Sequence, residues 1–259
     1  MARALSALVT GASRGIGRAI ARQLAARGCR VAVHFQRNRA AAETTLAALP
    51  GSGHALFAAE LGDATAVEKL WRDVTAAFGG VDLLVNNAGT FGDHPALATS
   101  YADWQREWQR TLATNLFGPA NLCHLAANAM AARGEPADAA LGRGRIVNIS
   151  SRGAFRGEPR APAYGASKAG LNALSQSLAL ALAPQQVYVF CLAPGWVDTD
   201  MAAASLTGPR AAEIRAQHPL GRVATADEIA RTAVFCALDA PATMTGSIID
   251  LNGASYLRT

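Results

Sequence analysis

Lysine is nearly absent from this chain: of 24 basic residues in 259, only Lys69 and Lys168 are lysines, and the arginines are dispersed. A net charge of +5 and an isoelectric point of 9.4 point to an anionic ligand. Without a basic stripe interleaved with aromatics, that ligand reads as a small molecule and not as nucleic acid. Long apolar runs are missing too. No uninterrupted segment reaches the ~18 residues of a membrane span, and the apolar N-terminal stretch is too short for a signal-peptide core and runs straight into a glycine turn. A cytoplasmic protein with no membrane partner is expected. The four cysteines, Cys29, Cys123, Cys191 and Cys236, are far apart and lack C-x-x-C spacing, so they read as reduced core thiols. Five histidines without ligand spacing give no reason to expect a metal.

Apolar residues make up 51% of the chain, enough to bury a full core, and the length fits one large α/β domain over residues 1–259. Short apolar runs predict strands at 7–10, 30–35, 54–59, 83–86, 145–150, 187–192 and 247–251. Between them, helical patterns occupy 15–27, 39–49, 64–78, 101–133, 162–183 and 226–238. This alternation predicts a doubly wound parallel sheet with helices on both faces. Two glycine- and alanine-rich loops interrupt it: 134–144, with Pro136, reads as a surface insertion, and 202–210 as a mobile lid.

Two motifs carry chemistry. The first is the apolar run 4–9 followed by Thr10-Gly11-Ala12-Ser13-Arg14-Gly15-Ile16-Gly17 and an alanine-rich helix. Strand, glycine turn and helix N-terminus together let the backbone approach a pyrophosphate and offer it unpaired N–H groups. The spacing is G-x-x-x-G-x-G and not the commoner G-x-G-x-x-G, and a tight turn alone would also use these glycines. The second motif is Tyr164 and Lys168, thirteen and seventeen residues after Ser151, which closes an apolar strand-like run. A helix puts positions four apart on one face, so the ammonium sits beside the phenol. A tyrosine ordinarily loses its proton near pH ~10, and a neighbouring cation favours the phenolate. Such a pair is also an ordinary surface arrangement; its weight comes from the glycine turn in the same chain.

With Asn86-Asn87-Ala88-Gly89, Asn115-Leu116, Ile146 to Ser151, Pro194-Gly195-Trp196-Val197-Asp198-Thr199-Asp200-Met201, Pro219-Leu220-Gly221-Arg222 and Asn252-Gly253 in this order, the chain resembles the short-chain dehydrogenase/reductase family. The branch is that of 3-oxoacyl-[acyl-carrier-protein] reductases and small carbonyl reductases. The resemblance implies a single-domain Rossmann fold with a seven-stranded sheet in the order 3-2-1-4-5-6-7. It implies carbonyl reduction in which Tyr164 gives a proton to the carbonyl oxygen, Ser151 hydrogen-bonds that oxygen, and Lys168 holds the nicotinamide ribose and lowers the phenol's pKa. The family's usual separation from the tyrosine selects Ser151 over Ser150. Asn115 would open its long helix locally and help to hold a relay water. Gly11, Ser13, Arg14, Gly15, Ile16 and Gly17 would line the pyrophosphate, Asn87, Ala88 and Gly89 the ribose side, and Pro194, Gly195, Val197 and Thr199 the carboxamide and phosphates.

Where NAD-preferring relatives carry an aspartate at the end of the second strand, this chain reads Val33-His34-Phe35-Gln36-Arg37. Arg14 and Arg37 suit a 2′-phosphate, so NADP(H) is expected. Glu60-Leu61 stands in place of the family's aspartate-hydrophobic pair, and its longer carboxylate can still reach the adenine amine. An NAD-linked alcohol dehydrogenase, a carrier-protein reductase proper, and a cofactor-binding redox sensor or scaffold stay open as alternatives. The absence of lysine and arginine from 169 to 209 removes the docking charges of carrier-protein reductases and favours a free carbonyl substrate, with Arg152, Arg156 and Arg160 available to an anionic one. The uncharged helix after Lys168, with the one bearing Asn115, implies a homotetramer or homodimer.

Overall fold

The computed structural model describes residues 3–134, 136 and 140–258. The strands are β1 (Ser6–Val9), β2 (Arg30–Phe35), β3 (Ala55–Ala58), β4 (Leu83–Asn86), β5 (Gly144–Ile149), β6 (Val187–Pro194), the two-residue β7 (Val197–Asp198) and β8 (Ala224–Thr225), and β9 (Ile248–Leu251). The helices are α1 (Gly15–Ala26), α2 (Arg39–Ala47), α3 (Ala64–Phe78), α4 (Tyr101–Leu112), α5 (Gly118–Ala131), α6 (Pro162–Leu182), α7 (Asp200–Thr207), α8 (Ala211–Ala216) and α9 (Ala226–Leu238). Seven strands form one parallel sheet in the order β3-β2-β1-β4-β5-β6-β9. This is the expected order, with β9 as the seventh long strand. Not anticipated is the small parallel pair of β7 and β8, which joins Val197 to Ala224.

The sheet's continuous apolar sequence follows from burial on both faces. Val9, Val33, Val85 and Val147 pack with Ile20 and Leu24 of α1 and Ala233 of α9, while their neighbours Leu8, Ala32, Leu84 and Ile146 pack with Val67 and Leu70 of α3 and Leu122 of α5. Adjacent strand residues point to opposite faces, so one run of sequence feeds two cores. Helix ends obey local chemistry. Asp63 caps α3 by accepting from the Thr65 and Ala66 N–H groups, and Gly79, at φ 71°, ends that helix. Thr225 and Glu228 form a reciprocal capping box on α9.

A π-turn at Ala113–Phe117, around Asn115, interrupts the helical stretch 101–133 and separates α4 from α5. One expectation changes. The lid at 202–210 is largely helical, because Asp200–Thr207 forms α7; five of those eight residues are alanine, leucine or methionine, good helix formers whose pattern buries Ala202 and Leu206. Of the insertion at 134–144, residues 135 and 137–139 lie outside the described residues. The four cysteines are free and buried. Among the described residues no helix is long and apolar enough to cross a membrane.

Candidate active site

The carboxyl ends of β1, β4 and β5 are tied edge to edge. The Thr10 hydroxyl accepts from the N–H groups of Asn87 (2.9 Å) and Ala88 (3.0 Å), and the Asn87 amide donates back to the Thr10 carbonyl at 2.9 Å. One strand further, Asn86 donates to Asn148 (2.9 Å), which donates to Ser175 of α6 (2.9 Å). A buried polar ladder thus locates the strand ends and the helix bearing Tyr164 and Lys168 in one frame.

The glycine turn sits on this frame with no room for a side chain. A Cβ at Gly17 would lie 2.3 Å from the Gly11 carbonyl oxygen and 2.5 Å from Asn87 Nδ2. Gly11 and Gly15 have φ of 61° and 53°, which favour glycine. At the start of α1, Arg14 offers no side-chain cap and the first turn holds no acidic residue, an arrangement that suits an anion. Thr199 crosses above it: its methyl group is 3.4 Å from where a Cβ on Gly15 would stand. Ser13 contributes main chain, its carbonyl accepting from Arg18 (2.7 Å) and Thr45 (3.1 Å), and Ile16 packs on the core beneath the turn. Pro194 ends β6, Gly195 passes close to Asn252, where a Cβ would meet Cα at 3.0 Å, and Val197 is buried. The Asn252-Gly253 motif is explained by this crossing.

Beyond β2, Arg14 and Arg37 are exposed, and neither guanidinium makes a hydrogen bond or ion pair among the described residues. Glu60 accepts from Gln36 and from the Gly62 N–H, while Leu61 is buried against Gly118. One residue that sequence reasoning left unassigned lies here: His34, buried, links the Gly11 N–H to the Ala59 carbonyl.

On the catalytic side, the two serines separate by role. Ser150 is buried, and its hydroxyl donates to the Lys168 carbonyl at 3.2 Å. Ser151 is partly exposed, accepts from the Gly153 N–H at 3.0 Å, and lies close enough to Tyr164 to influence its titration. Lys168 is buried; its ammonium donates to the Ile149 carbonyl at 2.8 Å and sits 5.8 Å from the centre of the Tyr164 ring. A Cβ on Gly89 would stand 3.6 Å from the Lys168 nitrogen and 3.5 Å from Asn115 Oδ1. Asn115, buried within the π-turn, accepts from the Thr90 N–H (2.8 Å) and donates to the Thr90 carbonyl (2.9 Å) and the Ser167 hydroxyl (3.2 Å). Its side chain thus fixes the loop after β4 against α6. His94, also unassigned from sequence, performs a similar task by accepting from the Ala163 N–H at 3.1 Å. Isolated histidines carry no spacing signal, so nothing in the sequence could have found either one.

Burial brings the Lys168 ammonium down to about 8. The phenol of Tyr164 is held above its usual value: burial raises it, the Ser151 hydroxyl pulls it back, and the Glu158 carboxylate adds to the rise. The arginine triplet also divides. Arg160 pairs with Asp93. Arg152 is buried, with its guanidinium donating to Ser255 and, at 2.8 Å, to Gln217. Only Arg156 remains without a hydrogen bond or ion pair among the described residues.

A family model described as Enoyl-(Acyl carrier protein) reductase matches residues 11–253. The 3-oxoacyl-[acyl-carrier-protein] reductase FabG of Escherichia coli K12 is 38% identical over 252 residues, covering 97% of this chain and 97% of the relative. Its namesake from Staphylococcus aureus Mu50 is 36% identical over 254 residues, covering 97% and 98%. A short chain dehydrogenase from Burkholderia cenocepacia J2315, solved in complex with NADP, superposes with a TM-score of 0.85 at 32% identity, covering 98% of each chain.

Proposed function

The chain belongs to the short-chain dehydrogenase/reductase family, and we propose that within it the protein, as one domain over residues 1–259, reduces a free carbonyl compound to an alcohol with NADPH. It is an oxidoreductase and not a cofactor-binding sensor. The observation that carries the reaction type is the convergence of Ser151, Tyr164 and Lys168 beside Gly89 at the carboxyl ends of the parallel strands. Two hydroxyls, on Ser151 and Tyr164, can donate to one substrate oxygen. That oxygen gains negative charge as a carbonyl is reduced and ends as a hydroxyl on taking the Tyr164 proton. Reduction of a C=O bond, rather than of the C=C bond implied by the matching model's description, is favoured by the 3-oxoacyl reductases among the relatives. A phenol held above its usual pKa is protonated at neutral pH, which is the form a general acid requires.

The cofactor is NADP(H). It supplies the hydride when bound. The residues fit it: a glycine cradle that a Cβ would fill, an uncapped helix N-terminus for the pyrophosphate, and the free guanidinium groups of Arg14 and Arg37 with no carboxylate in the stretch 31–38. Lys168, charged below about pH 8, would hold the ribose.

Preference for a free substrate rests on the absence of lysine and arginine from 169 to 209; the names of the relatives favour a second reading, in which the acyl group is bound to carrier protein. Steady-state NADPH oxidation with acetoacetyl-carrier protein, an acetoacetyl small thioester and simple ketones separates them. The first reading expects comparable or better turnover on the small compounds; a strong preference for the carrier-bound form replaces it with the second. Assembly into a homotetramer or homodimer is supported by the outer stripe of α6, Ala166, Ala169, Ala173 and Leu180, with Leu180 82% exposed, and by Phe117, 55% exposed, at the junction with α5. A monomer in light scattering at micromolar concentration would remove that part. Four buried free thiols suit the reducing cytoplasm.

A further inference from the structure

His34 lies near the end of β2 and is enclosed on all sides, with 2% of its surface exposed. Its Nδ1 lies 3.1 Å from the Gly11 nitrogen, which donates to it, and its Nε2 lies 3.2 Å from the Ala59 carbonyl oxygen. An acceptor Nδ1 carries no proton, so the ring's single proton is on Nε2 and is given to Ala59. Of the three protonation forms of imidazole, only this one satisfies both partners. The main chain of the same residue reinforces the ring, because the His34 carbonyl accepts from the Ala12 N–H at 2.9 Å.

The partners are what make this arrangement functional. Gly11 is the pivot of the glycine turn, with φ 61°, its carbonyl oxygen 3.3 Å from Asn87 Nδ2 and its Cα side closed by Ala88. With the Gly11 and Ala12 N–H groups both committed to His34, the direction of the peptides from Ser13 to Gly17 is set, and those peptides begin α1. Ala59 leads into Glu60-Leu61, the opposite rim of the same cleft. One ring therefore spans the ends of β1, β2 and β3. We propose that His34, as the neutral Nε2–H tautomer, is a positioning residue that presets the glycine turn for the cofactor's pyrophosphate and fixes it to the adenine-side rim. Burial supports this by holding the imidazole down at about 4, against the opposing influences of the Ala59 carbonyl and the Glu60 carboxylate.

The inference rests on the nucleotide-binding reading of the turn, and the test separates the two. In wild-type protein, titration with NADPH followed by fluorescence tests the cofactor reading alone. His34→Asn keeps an acceptor near the place of Nδ1 but does not reach Ala59; His34→Gln keeps a donor near the place of Nε2 but loses the acceptor for Gly11. His34→Asn is expected to bind NADPH within about threefold of wild type and His34→Gln to bind about tenfold more weakly, the scale of one hydrogen bond, with kcat at saturating NADPH unchanged in both. Equal weakening in the two variants, in step with loss of thermal stability, would overturn the proposal. So would wild-type affinity in His34→Gln. Should a variant not fold, nitrogen-15 NMR of the wild-type imidazole decides: an Nε2-protonated ring is expected, and an Nδ1-protonated one is incompatible with the Gly11 bond.

Discussion

The two halves of the cleft are built from different materials. The nucleotide half is main chain: three glycines, an uncapped helix end and peptide groups fixed by Thr10, Asn87 and His34. The proposed reacting half is side chain: a buried ammonium, a phenol and a hydroxyl, supported by Ser150, Asn115 and His94. A main-chain site tolerates many side chains but no added volume, whereas a side-chain site tolerates small changes of volume but no loss of its functional atoms. Damage to the halves should therefore appear in different constants.

The largest effect belongs to the reacting half. Tyr164→Phe removes one oxygen and leaves the ring against Phe91, 5.1 Å between centres. Turnover should fall by at least ~10² to 10⁴, the usual contribution of a positioned acid, while the NADPH dissociation constant stays within about threefold. Stopped-flow reduction and a binding titration on the same preparation check both. An enzyme within tenfold of wild type would remove Tyr164 from the mechanism and, with it, the contrast between the halves.

Gly17→Ala is the complementary change. The new methyl group meets a main-chain oxygen at 2.3 Å and a fixed amide at 2.5 Å, and neither is the free end of a flexible side chain. The turn must move, and NADPH affinity should drop by about a hundredfold, the loss of two or more main-chain contacts to phosphate, with any remaining turnover at saturation much less affected. Isothermal titration and kcat at high NADPH check this. A drop in kcat with intact affinity would mean that the turn serves the chemistry directly.

A smaller effect comes from pH. The Lys168 ammonium, brought down to about 8 by burial, is charged below that value and neutral above it. Reduction should be flat through neutral pH and decline above about 8, reaching roughly a tenfold loss one unit beyond the midpoint. Tyr164, whose own value is raised, stays protonated over this range and does not contribute. A flat profile to pH 9.5 would show that the lysine cation is not needed in the rate-limiting step.

The same contrast governs what could be read from sequence. Glycines with fixed spacing after an apolar run report a main-chain site directly, because only a missing side chain allows that geometry. Strand order and the opening at Asn115 came through family resemblance, since non-local pairing leaves no local trace. The helical character of 200–207 was hidden by the expectation that an alanine- and glycine-rich stretch beside the cleft is a loop. The supporting histidines were invisible for a different reason. His34 and His94 act on main-chain groups 23 and 69 positions away, and no spacing rule connects residues so separated.

The smallest effects should come from the arginines between serine and tyrosine, where charge counted from sequence overstated what reaches the substrate. Arg160 is half exposed and paired with Asp93, an arrangement worth ~1 kcal/mol or less. Arg160→Ala should change kcat/KM on any substrate by no more than about twofold. Arg156 has no such partner among the described residues and lies near enough to Glu158 and Arg152 to influence both. Arg156→Ala should therefore exceed Arg160→Ala on an anionic ketone such as acetoacetate and match it on a neutral ketone, since only the former gains from an unpaired guanidinium. Equal, small effects on both substrates would mean that the mouth is indifferent to charge and that the pocket reads its substrate by shape alone.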